Sequence, residues 1–247
     1  MEKKHEPKPF FHHWLHRTRK LDPIFPSFQI LKKMIQVKQL VLNSFQENTY
    51  ILYDHTGEAI IIDPGCYTQS DIDEVNWFVD SNQLVVKQLI LTHGHIDHIL
   101  GIESLKELYQ VNCFVHPDDL PLIEISPKHG LMFGISLEKA PRIDGFLKEG
   151  DSISFGKSTI EVIHTPGHSK GGICFFLRDE KILFSGDTLF NGSIGRTDLM
   201  GGNYETLIES IVHKLFPLGD DVVVYPGHGN STTIEYERKN NPFFQKG

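Results

Sequence analysis

The clearest signal in this chain is a two-residue alternation of apolar and polar positions. Ile35 to Val41 has it, as a half-buried strand does. Thr49 to Tyr53 and Ala59 to Ile62 are two further strand patterns, and Asp54-His55-Thr56-Gly57 between them is a hairpin turn signal, which makes His55 a turn residue. Asp63-Pro64-Gly65 ends the third strand, and Ser70 to Asp80 reads as a helix capped by Ser70. Val85 to Leu91 is a continuous aliphatic run, the mark of a buried strand. From Ile99 onward Leu100, Leu105 and Leu108 give a helical pattern, and a short strand at Asn112 to His116 stops at Pro117.

Residues 118–149 are broken by Pro121, Pro127, Gly130, Gly134, Pro141 and Gly145, which predicts a short helix and a wandering loop. Beside a site such a segment could form a lid or a substrate wall, with His129, Met132 and Phe133 as its candidate contacts. Strands are predicted again at Asp151 to Phe155, Thr159 to His164, Ile173 to Leu177, Lys181 to Ser185 and Val222 to Tyr225. Helices are predicted at Asn203 to Leu215 and Thr232 to Arg238. Both halves of the chain thus run strands, helix, strand, helix. This rhythm predicts two packed sheets with helices outside, in one domain covering residues 34–247.

Residues 1–33 differ in character. They carry eight Lys and Arg against three Asp and Glu, with weak helical amphipathicity at Phe11, Trp14 and Leu15. The segment could dock on the domain, bind an acidic surface or stay mobile. His12, His13 and His16 read as solvated tail residues rather than ligands, and Met34 is an alternative start. The whole chain of 247 residues has a net charge of −8, which argues against a general nucleic-acid binder. No run approaches the length of a membrane span, and the N-terminus lacks the apolar core of a secretory signal. Cys66, Cys113 and Cys174 form neither a disulfide framework nor a Cys-x-x-Cys knuckle, so a reducing cytoplasm is the expected setting. Cys66, after the Asp-Pro-Gly turn, could lie nearer the prospective site than the other two.

The chemistry is concentrated in Thr92-His93-Gly94-His95-Ile96-Asp97-His98, between a strand end and a helix start. In extended backbone His93 and His95 point to the same side, while Asp97 and His98 address a second point. Three imidazoles and a carboxylate suit zinc, manganese or iron. Three later turns add His168 in Thr165-Pro166-Gly167-His168-Ser169, Asp187 in Ser185-Gly186-Asp187-Thr188, and His228 in Tyr225-Pro226-Gly227-His228-Gly229. Glycine precedes each of the three, letting the backbone turn tightly and present a side chain at a rim. Asp63 could orient a ligating histidine. His164 is expected to support a ligand or the core rather than to ligate.

Together these motifs resemble the metallo-β-lactamase superfamily, from about Ile35 to the C-terminus. Gly186-Asp187-Thr188-Leu189-Phe190, then Gly192-Ser193-Ile194-Gly195-Arg196-Thr197-Asp198 and Asn241-Pro242-Phe243, are similar to the short bacterial type of glyoxalase II-like hydrolase. The resemblance implies an α/β fold, a four-layer αββα sandwich with a metal site at one edge of the two sheets. It implies that His93, His95 and His168 hold one divalent ion, that Asp97, His98 and His228 hold a second, and that Asp187 bridges them. Zinc is the expected metal, with iron or manganese as alternatives. A bridging carboxylate, where class B1 lactamases carry a cysteine, speaks against β-lactam hydrolysis as the main activity. The implied reaction is cleavage of a small-molecule thioester resembling S-lactoylglutathione by a metal-bridging hydroxide, with Asp97 and Asp187 in catalytic positions.

Full-length glyoxalase II enzymes hold glutathione through a Lys and a Tyr in this region and through a further helical domain. Here Arg196 keeps the positive charge and could bind a carboxylate, while Asp198 removes the aromatic partner; alternatively the two form an ion pair beside the site. A mononuclear iron persulfide dioxygenase and a lactone hydrolase are the competing activities on the same motifs. A scaffold role using the basic tail is the non-enzymatic alternative.

Overall fold

A computed structural model describes residue 1 and residues 35–245, so the expectations for the rest of the basic N-terminal segment lie outside the described residues. The first sheet contains β1 (Gln36–Leu42), β2 (Glu47–Tyr53), β3 (Glu58–Ile62), β4 (Val85–Ile90), β5 (Asn112–Val115) and β6 (Gly145–Phe146), in that spatial order. The pairings β1–β2 and β2–β3 are antiparallel; β3–β4, β4–β5 and β5–β6 are parallel. The second sheet is built from β7 (Ser152–Phe155), β8 (Ser158–His164), β9 (Ile173–Leu177), β10 (Ile182–Gly186), β13 (Val223–Pro226) and β14 (Thr232–Thr233). Between β10 and β13 lies a small hairpin, β11 (Leu189–Phe190) with β12 (Ser193–Ile194). The helices are α1 (Gln69–Ser81), α2 (Ile102–Tyr109), α3 (Leu120–Glu124), α4 (Ser126–Met132), α5 (Tyr204–Ser210) and α6 (Ile234–Asn240).

Strand alternation builds the layers. In β2 and β3, Tyr50, Leu52, Ile60 and Ile62 join Phe155, Phe175 and Phe184 of the second sheet in a core between the sheets. Their neighbours Ile51, Ala59 and Ile61 face the other way and pack with Val75 and Val79 of α1 and Leu105 of α2. On the far side Cys174, Phe176 and Leu183 pack with Leu207 of α5 and Ile234 of α6. The central strands are therefore buried on both faces, and the order of layers is helix, sheet, sheet, helix. This is the αββα sandwich that the sequence implied.

Local differences have local causes. The first helix is capped by Thr68, not Ser70: the Asp71 amide donates to the Thr68 hydroxyl at 3.2 Å, and the Thr68 amide returns a bond to Asp71 Oδ2 at 2.9 Å. No helix starts at Ile99. Ile96–His98 is a 3₁₀ turn with i→i−3 bonds, and α2 begins only at Ile102. That turn leaves the Asp97 carbonyl free to accept from Asn43 Nδ2 at 3.0 Å. The α5 helix closes with a π-helical segment, Ile211–Leu215. Residues 118–149 hold α3 and α4, one helix more than expected, because Pro121 and Pro127 each fall in a first helical turn, where proline is tolerated.

Candidate metal centre

All seven expected donors meet at one edge of the sheets. His93, His95 and His168 form one group whose donor atoms lie within 4.8 Å of one another and could hold a metal ion; Asp97, His98 and His228 form another. Between them stands Asp187, with Oδ2 3.5 Å from His168 Nε2 and 3.6 Å from His228 Nε2, and Oδ1 3.5 Å from His98 Nε2. His228 Nε2 is 3.1 Å from Asp97 Oδ2, and His95 Nδ1 is 2.8 Å from His168 Nε2.

Backbone geometry explains how chain segments so far apart in sequence converge. Gly186 has φ +47°, a left-handed turn that swings Asp187 out of the end of β10. Gly227 needs no positive φ. Glycine is required there because an added Cβ would strike Asp187 Oδ1 and crowd His98 Cε1. The His228 turn is also tied to the first sheet: Asn48 Nδ2 donates to the Pro226 carbonyl at 2.9 Å, and the Tyr50 hydroxyl donates to the same oxygen at 2.6 Å.

Neighbouring groups orient the rings. His168 Nδ1 lies 2.7 Å from the Arg196 carbonyl, which only accepts, so Nδ1 carries the proton and Nε2 faces the cluster. Thr92 Oγ1 donates to Asp63 Oδ2 at 2.6 Å and lies 3.0 Å from His93 Nδ1, leaving His93 Nε2 pointing inward. Asp63 also accepts the Thr92 amide at 2.7 Å and stands 3.1 Å from His98 Nδ1. It supports the rings, as its sequence position suggested.

The electrostatics divide the donors. Burial, reinforced by neighbouring imidazoles, drives His93 well below the ordinary histidine range, and burial together with His168 takes His95 to about 3. Both rings are therefore neutral lone-pair donors at physiological pH. Burial disfavours the charged form of His98 too, but Asp97, Asp187 and Asp63 outweigh it and raise its pKa. Burial opposes charge on Asp97, yet His98 and His228 hold it ionised. His93 Nε2, His98 Nε2 and Asp187 Oδ1 are buried with no hydrogen-bond partner among the described residues. Such groups are costly unless something satisfies them, and a divalent cation fits this set of nitrogen and oxygen donors.

Two buried carboxylates here escaped the sequence reading. Asp119 accepts from the Gly94 amide at 2.9 Å, the Ser169 hydroxyl at 2.7 Å and the Gly171 amide at 2.6 Å, joining the two loops of the first histidine group. Glu47 is fully buried, accepts from Thr49 Oγ1 at 2.9 Å and lies 3.9 Å from His98 Nδ1; burial raises its pKa strongly. An acid at the head of an apolar strand was the one available sign of Glu47, and a Pro-Asp-Asp turn gives none for Asp119.

Arg196 and Asp198 pair with each other. The guanidinium donates to both carboxylate oxygens, each at 2.8 Å, and holds Asp198 down to about 2. His164 stacks on His116 with ring centroids 4.2 Å apart and belongs, with Asp118, to a donor group separate from the two above. Cys66 is buried, its thiol pushed up to about 12 chiefly by burial, so it is an inert packing residue. A cleft of about 460 Å³ opens onto the donors and includes His129, Met132 and Phe133 in its wall, together with Phe45, Ile96 and Leu122.

Residues 42–228 match the family model of the metallo-beta-lactamase superfamily. Hydroxyacylglutathione hydrolase GloC of Haemophilus influenzae is 38% identical over 216 residues, covering 85% of this chain and 98% of that protein. Probable metallo-hydrolase YqgX of Bacillus subtilis is 32% identical, covering 83% of this chain and 96% of its own. Among solved structures, the BLEG-1 B3 metallo-beta-lactamase is 36% identical with a TM-score of 0.79, covering 85% of this chain and all of that one. TTHA1623 in a di-iron-bound form is 34% identical with a TM-score of 0.74, covering 84% and 100%. By its fold, by its convergent His and Asp donors and by these relatives, the chain belongs to the metallo-β-lactamase superfamily, as a metal-dependent hydrolase.

Proposed function

We propose that the protein is a binuclear thioesterase acting on small-molecule thioesters of the S-lactoylglutathione kind. His93, His95 and His168 would hold one divalent ion, Asp97, His98 and His228 the other, and Asp187 would serve both. Zinc suits this donor set, and the di-iron relative makes iron the leading alternative, with manganese behind it. Divalent ions so held would acidify a water and polarise a substrate carbonyl.

The chain's own residues do the rest. Asp97 and Asp187 offset positive charge at the reacting centre. The Arg196 carbonyl fixes the His168 ring, and Asp63 faces His98 across an ion pair. A thioester suits the site because its thiolate departs with little proton assistance. The protein supplies no exposed cysteine nucleophile, its three described thiols being buried. Those free thiols fit a cytoplasmic protein. Neither nucleic acid nor membrane enters this reading.

The observation that carries the proposal is the convergence of seven donors, five of which line the cleft, in a chain aligned with nearly the whole of a hydroxyacylglutathione hydrolase. The test is hydrolysis of S-lactoylglutathione by zinc-, iron- and manganese-loaded protein, before and after chelation. Metal-dependent turnover supports the proposal. A single iron per chain with oxygen uptake on glutathione persulfide would place the protein with the dioxygenases instead. Lactone turnover without thioester turnover would keep the site and discard the substrate. β-Lactam hydrolysis is a second reading, supported by the 36%-identical B3 structure, and nitrocefin belongs in the same assay.

A further inference from the structure

The cleft wall is poorly matched to glutathione. Arg196 is the one Lys or Arg among the described residues that line the cleft, and two of its five N–H groups, on Nε and Nη2, donate to Asp198 at 2.8 Å each. Glutathione carries two carboxylates, and among the described residues of this wall the one Lys or Arg they would meet is already paired with an acid. Asp198 adds an acidic group of its own.

The remaining wall is apolar. Phe45, Ile96, Leu122, Met132, Phe133 and Met200 surround the approach to the donors. Met132 and Phe133 lie 78% and 57% exposed, and Phe133 meets Phe45 edge to face with ring centroids 5.6 Å apart. Large apolar side chains held open around a concave site offer cover to an apolar arm of a ligand. Two polar residues interrupt the wall, His129 and Ser126, and the Ser126 hydroxyl is buried with no partner among the described residues.

We infer that the preferred substrates are uncharged thioesters with an apolar arm lying along α4 and Phe45, and that Asp198 selects against anionic thiol carriers by occupying Arg196. This rests on the thioesterase reading and narrows its substrate class. Burial of each further methylene against this wall raises kcat/KM by up to about fourfold.

The test compares S-lactoylglutathione with N-acetylcysteamine thioesters of acetyl, butanoyl, hexanoyl and octanoyl groups, using the full metal-loaded chain. kcat/KM is expected to rise at least tenfold from acetyl to octanoyl and to exceed that for S-lactoylglutathione. Phe133→Ala should flatten the dependence on chain length. Asp198→Asn should raise the ratio of anionic to neutral kcat/KM at least threefold, through KM rather than kcat. Calorimetry with uncleavable thioethers of equal chain length, S-hexyl-N-acetylcysteamine against S-hexylglutathione, should give the same order in binding. A flat chain-length series, or tighter binding of the glutathione thioether with no response to Asp198→Asn, would overturn the inference while leaving the thioesterase reading intact. If no thioester of either kind is cleaved, the thioesterase reading falls, and the calorimetric order still decides whether the wall prefers neutral arms.

Discussion

Asp63 Oδ2 stands 3.1 Å from His98 Nδ1, while Oδ1 of the same carboxylate accepts the Thr92 amide at 2.7 Å. One buried acid thus faces the ring of His98 across an ion pair and ties down the strand end from which His93 projects. Asp63→Asn keeps the shape and removes the charge. It should weaken binding of the second metal by about 10- to 100-fold, through His98, and that of the first by less, through Thr92 and His93. Stepwise competition against a chelating dye would measure the two affinities, and equal weakening at both positions would contradict this role.

Gly227 separates a requirement for space from one for backbone freedom. Its added Cβ would run into Asp187 Oδ1 and His98 Cε1. Gly227→Ala should therefore lose metal and activity while circular dichroism reports the same secondary structure. Retention of full metal content would show that the two donor groups can move apart at little cost.

Asp119 gathers three bonds, from the loops of His93 and His168. Asp119→Ala strands two buried amides and a hydroxyl, a destabilisation of about 3 kcal/mol. Urea unfolding would measure it. A loss below about 1 kcal/mol would mean that the loops are held by other means.

Asp54 ties the β2–β3 turn to the β7–β8 turn by accepting from the Lys157 amide at 2.6 Å and the Thr56 amide at 2.9 Å. Burial opposes its charge, but these bonds and that from the Thr56 hydroxyl prevail and lower its pKa. A lowered folded-state pKa means that the stabilisation is complete above the unfolded Asp value of about 3.9 and is lost as pH falls through the lower folded value. Asp54→Asn should cost about 2 kcal/mol at pH 7 and progressively less below pH 4, read as the gap between wild-type and variant urea midpoints. A gap independent of pH would contradict the assignment.

The sheet strands and the donors were legible in the sequence for physical reasons. Ile60 and Ile61 face opposite layers, so both had to be apolar, and His93, Asp187 and His228 follow directly on strands whose limits their patterns mark. The illegible parts depend on contacts distant in sequence. The 3₁₀ turn at Ile96–His98 is joined to Asn43, and Asp119 acts through loops 25 to 52 residues away. The β11–β12 hairpin, with two residues in each strand, is too short to show a period. For Arg196 and Asp198 the sequence left two roles open, and the side-chain geometry shows an ion pair.

The central claim is that Asp187 serves two metal positions at once. Elemental analysis of protein purified without chelators tests it most directly. The expected result is about two zinc, iron or manganese ions per wild-type chain, falling to one or fewer in Asp187→Ala with the fold retained. One ion per wild-type chain, or an unchanged pair of ions in Asp187→Ala, would contradict it.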